Sequence, residues 1–439
     1  MHYTHGGIGL GKKISSAEAE KENGNHITSP EISFEVIVLF VFGIMMLLFG
    51  ALLFKIHTGE LPYTPDSTYG LFLVIVSLQI IALGRTPFGD FKRSWILIIL
   101  GIFTAAIGMT ACFIPGYLSN MVRILAGLLL FTGGIALLLQ LFISKEKAKI
   151  WINVSGVLRH LTLSSALVYF LSAVLGFITL FPLFTTDTLT AVMLLIYGLS
   201  YFYLAVCIHK TNIKYKKEIQ EIKISDENSE FKRKSGVFSE AEIPLSVAVI
   251  IPVGFLLLLL GFLLFPVSTG LIPFSPDGQL GLLMVVMAIQ MLALGETPAG
   301  QFQRSWLLMI IGVVFATIGI FSCLVPGILT GILQELIGVL NIAGGVILLL
   351  KRFGPAISAG IKGRRSKVIS EPLPPVLKNL VIIQTVLNFV SIGFGASMFM
   401  PGIVPGEVIA AILIINGILI FALASLVLKI DKIQKSGAF

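Results

Sequence analysis

The sequence predicts an all-α integral membrane protein with about twelve transmembrane helices in two parallel-oriented six-helix repeats. Three observations carry this prediction. Hydrophobic residues fill 56% of the 439 positions and charged ones only 12%, against roughly a quarter in soluble proteins. Apolar runs such as Val36 to Phe54 and Ile96 to Ile114 approach or reach the roughly 20 residues needed to cross a hydrocarbon core. The stretch Leu78 to Gly116 returns as Ile289 to Gly327 at a constant offset of 211 residues.

Residues 1–30 are polar, with Gly6, Gly7, Gly9 and Gly11 among mixed charges. They lack the apolar core of a secretory signal and are expected to form a disordered cytoplasmic tail. Hydropathy then places spans near 33–54, 67–84, 95–114, 117–143, 160–182 and 188–208, within a first membrane repeat at 31–209. A charged cytoplasmic linker at 210–241 leads to a second repeat at 242–430. Its spans are expected near 244–265, 278–295, 306–325, 328–350, 376–399 and 408–429. Residues 431–439 form a cytoplasmic C-terminal tail.

Basic residues orient this arrangement. Lys12, Lys13, Lys92, Arg93, Lys145, Lys147, Lys149, the central linker, Arg364, Arg365, Lys367 and Lys432 fall in one set of loops; the other set holds almost only Lys55. The positive-inside rule puts the first set and both termini in the cytoplasm. The same alternation explains the +8 net charge without nucleic acid, so the expected partner is the lipid bilayer. A small solute or ion, and a second copy of the chain, stay open as partners. Glu60, Asp66, Asp187, Asp277 and Glu407 occupy the opposite loops.

Small residues recur in register between the repeats. Gly101, Ala105, Gly108 and Cys112 share one face of the third span, matched by Gly312, Ala316, Gly319 and Cys323 in the ninth. Gly43 and Gly50 match Gly254 and Gly261, and Gly127 and Gly134 match Gly338 and Gly345. Such residues let helix backbones approach where no hydrophobic drive exists between helices. Pro115-Gly116 and Pro326-Gly327 read as turns, because Pro cannot continue a helix and Gly tolerates positive φ. Thr64-Pro65-Asp66 and Ser275-Pro276-Asp277 read as helix starts: a hydroxyl cap, Pro at the first position, then an acid at the positive end of the dipole.

Three sets of residues are functional candidates. The most distinctive is Gly84-x-Thr86-Pro87-x-Gly89-x-Phe91-x-Arg93-Ser94-Trp95, repeated as Gly295-x-Thr297-Pro298-x-Gly300-x-Phe302-x-Arg304-Ser305-Trp306. Trp at headgroup level and Arg on lipid phosphate would make it an interfacial anchor, and a cytoplasmic gate or anionic-ligand site is the functional alternative. Arg123 lies in the fourth span, where burying a charge is costly; its counterpart is Gln334, beside Glu335. Snorkelling explains Arg123 simply, and an Arg123 to Glu335 pair across the repeats is the sharper expectation. Gln79 and Gln290 are equivalent intramembrane amides suited to helix-to-helix hydrogen bonds or to a solute.

No P-loop, HExxH, GxSxG or cysteine-ligand spacing occurs, so no catalytic residue, cofactor-binding residue or metal ligand is assigned and no cofactor is expected. The pattern Trp95-x5-Gly101-x6-Gly108-x6-Pro115, then Gly127-x6-Gly134, resembles the hairpin signature of HdeD-type membrane proteins associated with acid resistance. Trp306, Gly312, Gly319, Pro326, Gly338 and Gly345 repeat it at the same spacing. The resemblance implies a six-helix membrane unit linked to stress or acid tolerance, without chemistry to transfer. It leads to the expectation of a non-enzymatic, HdeD-like multi-pass protein in tandem duplication. The competing expectation is a solute transporter or channel, with a site between the halves near Gln79, Gln290, Asn341 or Asn416.

Overall fold

The computed structural model describes residues 32–83, 95–143, 156–184, 186–214, 244–293, 306–361, 375–400 and 402–435. The expected N-terminal tail, residues 215–241 of the central linker and the last residues of the C-terminal tail lie outside them, while 210–214 of the expected linker and 431–435 of the expected tail are helical. Twelve α-helices and one 3-10 turn, Pro182–Phe184, make up the regular structure, and no strand occurs among the described residues. They are α1 Phe34–His57, α2 Pro65–Leu83, α3 Trp95–Phe113, α4 Ser119–Ile143, α5 Val157–Leu180 and α6 Asp187–Lys214. Then follow α7 Leu245–Ser268, α8 Pro276–Ala293, α9 Trp306–Leu324, α10 Thr330–Ile361, α11 Pro375–Met398 and α12 Gly406–Lys435.

Most helix ends fall within a few residues of those expected. The exceptions are α6, α10 and α12, whose C-terminal ends run on past the apolar stretch. In α10 the apolar window stops at Gly354, just before Pro355, while the helix reaches Ile361. Among the described residues, nine helices are long and apolar enough to cross a membrane, and Pro65–Ile81, Pro276–Leu292 and Met309–Leu324 form shorter apolar helices. Outward faces are apolar as well as the core: Phe103, Phe142, Phe262, Leu350 and Phe389 are all exposed.

The same helix pairings occur in residues 34–214 and 245–435. In the first group α1 lies along α6, α2 along α3, and α4 along α5; in the second, α7 lies along α12, α8 along α9, and α10 along α11. The groups meet through α1 against α8 and α9, α7 against α2 and α3, α2 against α9, and α3 against α8. Backbone hydrogen bonds cross that junction reciprocally. Thr64 donates its N–H to the Leu324 carbonyl at 3.4 Å, and its counterpart Ser275 donates to Phe113, the counterpart of Leu324, at 2.9 Å.

Small residues set how closely these helices approach. A Cβ on Gly108 would sit 2.6 Å from the Gly70 carbonyl oxygen, so α2 and α3 touch backbone to backbone; Gly319 and Gly281 repeat the contact in α9 and α8. Gly116 and Gly327 have φ of 86° and 85°, the left-handed turns that the Pro-Gly pairs predict.

Beyond α4 and α10 the register between the groups changes. Gly134 packs on Tyr169 and Ala173, and its counterpart Gly345 packs on Asn388 and Ile392. Matching residues in the last two helices of each group are therefore 219 apart, not 211. Gly176 and Gly395, and Gly198 and Gly417, keep that new offset, the second pair facing Gly43 and Gly254.

Candidate functional site

The repeated Gly-Thr-Pro motif falls mostly on residues 84–94 and 294–305, so Arg93 and Arg304 lie outside the described residues. Trp95 opens α3 and is 45% exposed, and Trp306 opens α9 at the equivalent place. Gln79 on α2 and Gln290 on α8 are half-buried, and neither amide forms a hydrogen bond among the described residues. Asn341 bonds within its own helix group, accepting from Ser391 Oγ at 2.8 Å, and Asn416 on α12 is buried.

Arg123 does not reach Glu335. Its guanidinium donates to the Thr179 carbonyl of α5 at 3.2 Å, while Glu335 is exposed and no ion pair joins the two among the described residues. Helical geometry gives the reason: adjacent residues point about 100° apart, so with Gln334 turned toward α11, Glu335 faces outward. Gln334 repeats the role of Arg123, donating to the Met398 carbonyl at 2.7 Å, and Met398 is the counterpart of Thr179 in the 219 register.

The acids of the two helix starts are buried, Asp66 at 4% exposure and Asp277 at 7%. Asp66 accepts from the backbone N–H of Gly116, and Asp277 from the hydroxyl of Thr330, so each ties a helix start to the turn that follows the neighbouring helix. Ser275 Oγ accepts from the Gly278 N–H at 3.2 Å, the capping bond expected there. Next to these starts, Cys112 donates to the Ser67 carbonyl at 3.4 Å and Cys323 to the Gly278 carbonyl at 3.7 Å. The two buried thiols face each other across the junction, and a Cβ on Gly278 would lie only 2.1 Å from the Cys112 carbonyl oxygen.

A cavity of about 80 Å³ lies inside the first group, lined by residues of α1, α2, α4, α5 and α6. Its walls are mostly apolar, with Met45, Phe49, Leu130 and Leu194 among them, and Thr68, Tyr69, Thr179, Thr190 and Tyr197 add hydroxyls. Arg123 lies beside it, bonded to the Thr179 carbonyl and close enough to Tyr69 to interact electrostatically. Tyr63, in the connection, stacks on Phe49 with ring centroids 5.9 Å apart. Loss of solvent pushes the Tyr63 phenol well above its ordinary range; Tyr69 and Asp66 add to this, and a hydrogen bond with Thr68 opposes it.

None of the sequence candidates lines this cavity, and Arg123 adjoins it through Thr179 and Tyr69. Tyr69, Thr179, Thr190 and Tyr197 were not singled out by motif or charge. The signal lay in comparing equivalent positions: Ala126 against Ile337 in the 211 register, and Thr179 against Met398 and Thr190 against Ile409 in the 219 register. No group of three or more potential metal ligands occurs among the described residues. No family model matches the chain, and no curated protein or solved structure matches it.

Proposed function

We propose that this chain is a non-enzymatic, HdeD-like protein of the cytoplasmic membrane that serves stress or acid tolerance. On this reading its helices form twelve spans in two parallel six-helix halves, related by an axis along the membrane normal, with both termini cytoplasmic. Exposed apolar residues on every outward face support residence in lipid, since water would not tolerate so large a patch. The tryptophan, glycine and proline spacing supports the HdeD likeness.

The observation that carries a structural role over transport is the closed contact at the junction. Gly278 against the Cys112 carbonyl, with the reciprocal Thr64 and Ser275 bonds, leaves no room for a solute along that line. Asn341, a candidate for lining a path between halves, is instead committed to Ser391. Cells lacking the chain should lose viability in acid challenge and regain it with the wild-type gene. Proteoliposomes should carry no proton or solute flux above empty vesicles; a flux removed by replacing Gln79 and Gln290 together would overturn the reading.

The threading is checked by labelling. The three native cysteines are buried and give little background, so Glu60→Cys and Lys147→Cys can be probed singly with an impermeant maleimide in intact cells. Glu60→Cys should label from outside and Lys147→Cys only after permeabilisation. Labelling of both from one side would refute the orientation.

A further inference from the structure

Two differences between the helix groups coincide at one place. Where Arg123 bonds the Thr179 carbonyl, Gln334 bonds the Met398 carbonyl with a neutral amide, so this helix-to-helix bond needs no positive charge. The charge in the first group is surplus to packing. Beside it, the first group carries Ala126, Thr179 and Thr190 where the second carries Ile337, Met398 and Ile409. Ile337 is fully buried and the other two pack against the core, whereas the three smaller residues line the 80 Å³ cavity. That space is several times the roughly 15 Å³ that one water needs, and its largely apolar wall suits an alkyl chain better than a water cluster.

We propose that this cavity binds an anionic amphiphile, an alkyl chain bearing a carboxylate or phosphate head. The head meets Arg123, which has five N–H donors, of which the Thr179 carbonyl takes one. The hydroxyl of Tyr69 supplies a further polar contact at the cavity, and the chain lies among Met45, Phe49, Leu130 and Leu194. Among the described residues the site occurs once, because the equivalent position in the second group lacks both the charge and the small residues. It stands apart from the proposed stress role and holds for a structural protein or a transporter alike.

The test is saturation binding of radiolabelled decanoate to the full chain in phosphatidylcholine nanodiscs, with empty discs subtracted. The wild type should bind one decanoate per chain. Arg123→Gln should weaken binding at least tenfold, and Ala126→Ile with Thr179→Met should remove it; each installs the residue the second group already carries. Melting curves report whether the variants fold, and Thr190→Ile, on another helix, replaces the filling pair should that pair not fold. Titrating phosphatidylglycerol into the discs separates the sources: displacement of decanoate identifies a lipid as the occupant, and its absence a free carboxylate. Lack of saturable binding, or equal binding by wild type and all variants, would overturn the proposal.

Discussion

Single atoms decide how tightly the two helix groups close. Gly278 faces a carbonyl oxygen on the opposite group, and backbone cannot swing aside as a side chain would. Gly278→Ala should therefore destabilise the fold by about 1–3 kcal/mol, the usual range for overpacking. Gly344 on α10 meets nothing within 4 Å, so Gly344→Ala should be neutral or stabilising by up to about 1 kcal/mol through helix propensity alone. Thermal melts in one detergent compare them; equal losses would mean the junction is not the tight point. Tyr63 gives a pH prediction. Because burial raises its pKa above the ordinary value near 10, the neutral phenol's contribution is complete below about pH 10 and is lost as pH rises further. Tyr63→Phe should flatten the alkaline limb of the stability profile and leave pH 7 stability nearly unchanged.

Helices were the most legible level. Long apolar runs, proline-glycine turns and hydroxyl-proline-acid starts placed twelve helices because each signal is local. The partnership of α5 with α4, and of α6 with α1, was not legible in the same way. Their duplication is carried by Gly176 with Gly395 and Gly198 with Gly417, at an offset moved from 211 to 219 by extra residues before α11. Glycines within apolar sequence make a weak pattern, and a shift of register hides it. The candidate site suffered likewise: Arg123 stood out by charge, but the cavity beside it depends on small residues whose meaning appears only against their larger counterparts. At the exposed ends, chemistry contributes less. His57 of α1 contacts Asp187 of α6 at 2.8 Å, with both side chains more than half exposed. His57→Ala should shift stability by less than about 1 kcal/mol, as exposed ion pairs generally do; a larger loss would show that this contact closes the α1–α6 pair.

Across the whole molecule, the junction among the described residues uses six helices and reciprocal backbone bonds, drawn from residues up to 214 on one side and from 244 onward on the other. Two polypeptides divided between those positions and expressed together should assemble and co-purify through a tag on one of them. Adding Gly278→Ala should reduce recovery of the untagged partner. Recovery of each piece only by itself would mean that covalent connection, rather than the junction, keeps the groups together.

The pairing of α1 with α6 has a further outcome for biogenesis. Gly43 and Gly198 touch although 155 positions separate them, and Gly254 and Gly417 do the same across 163. At a synthesis rate of about 5–20 residues per second, the opening helix of each group waits roughly 10–30 s for the closing one to leave the ribosome. During that interval its glycine face is uncovered, so insertion factors or chaperones that shelter small-residue faces should crosslink to α1 in stalled chains ending before α6, and release it once α6 has been made.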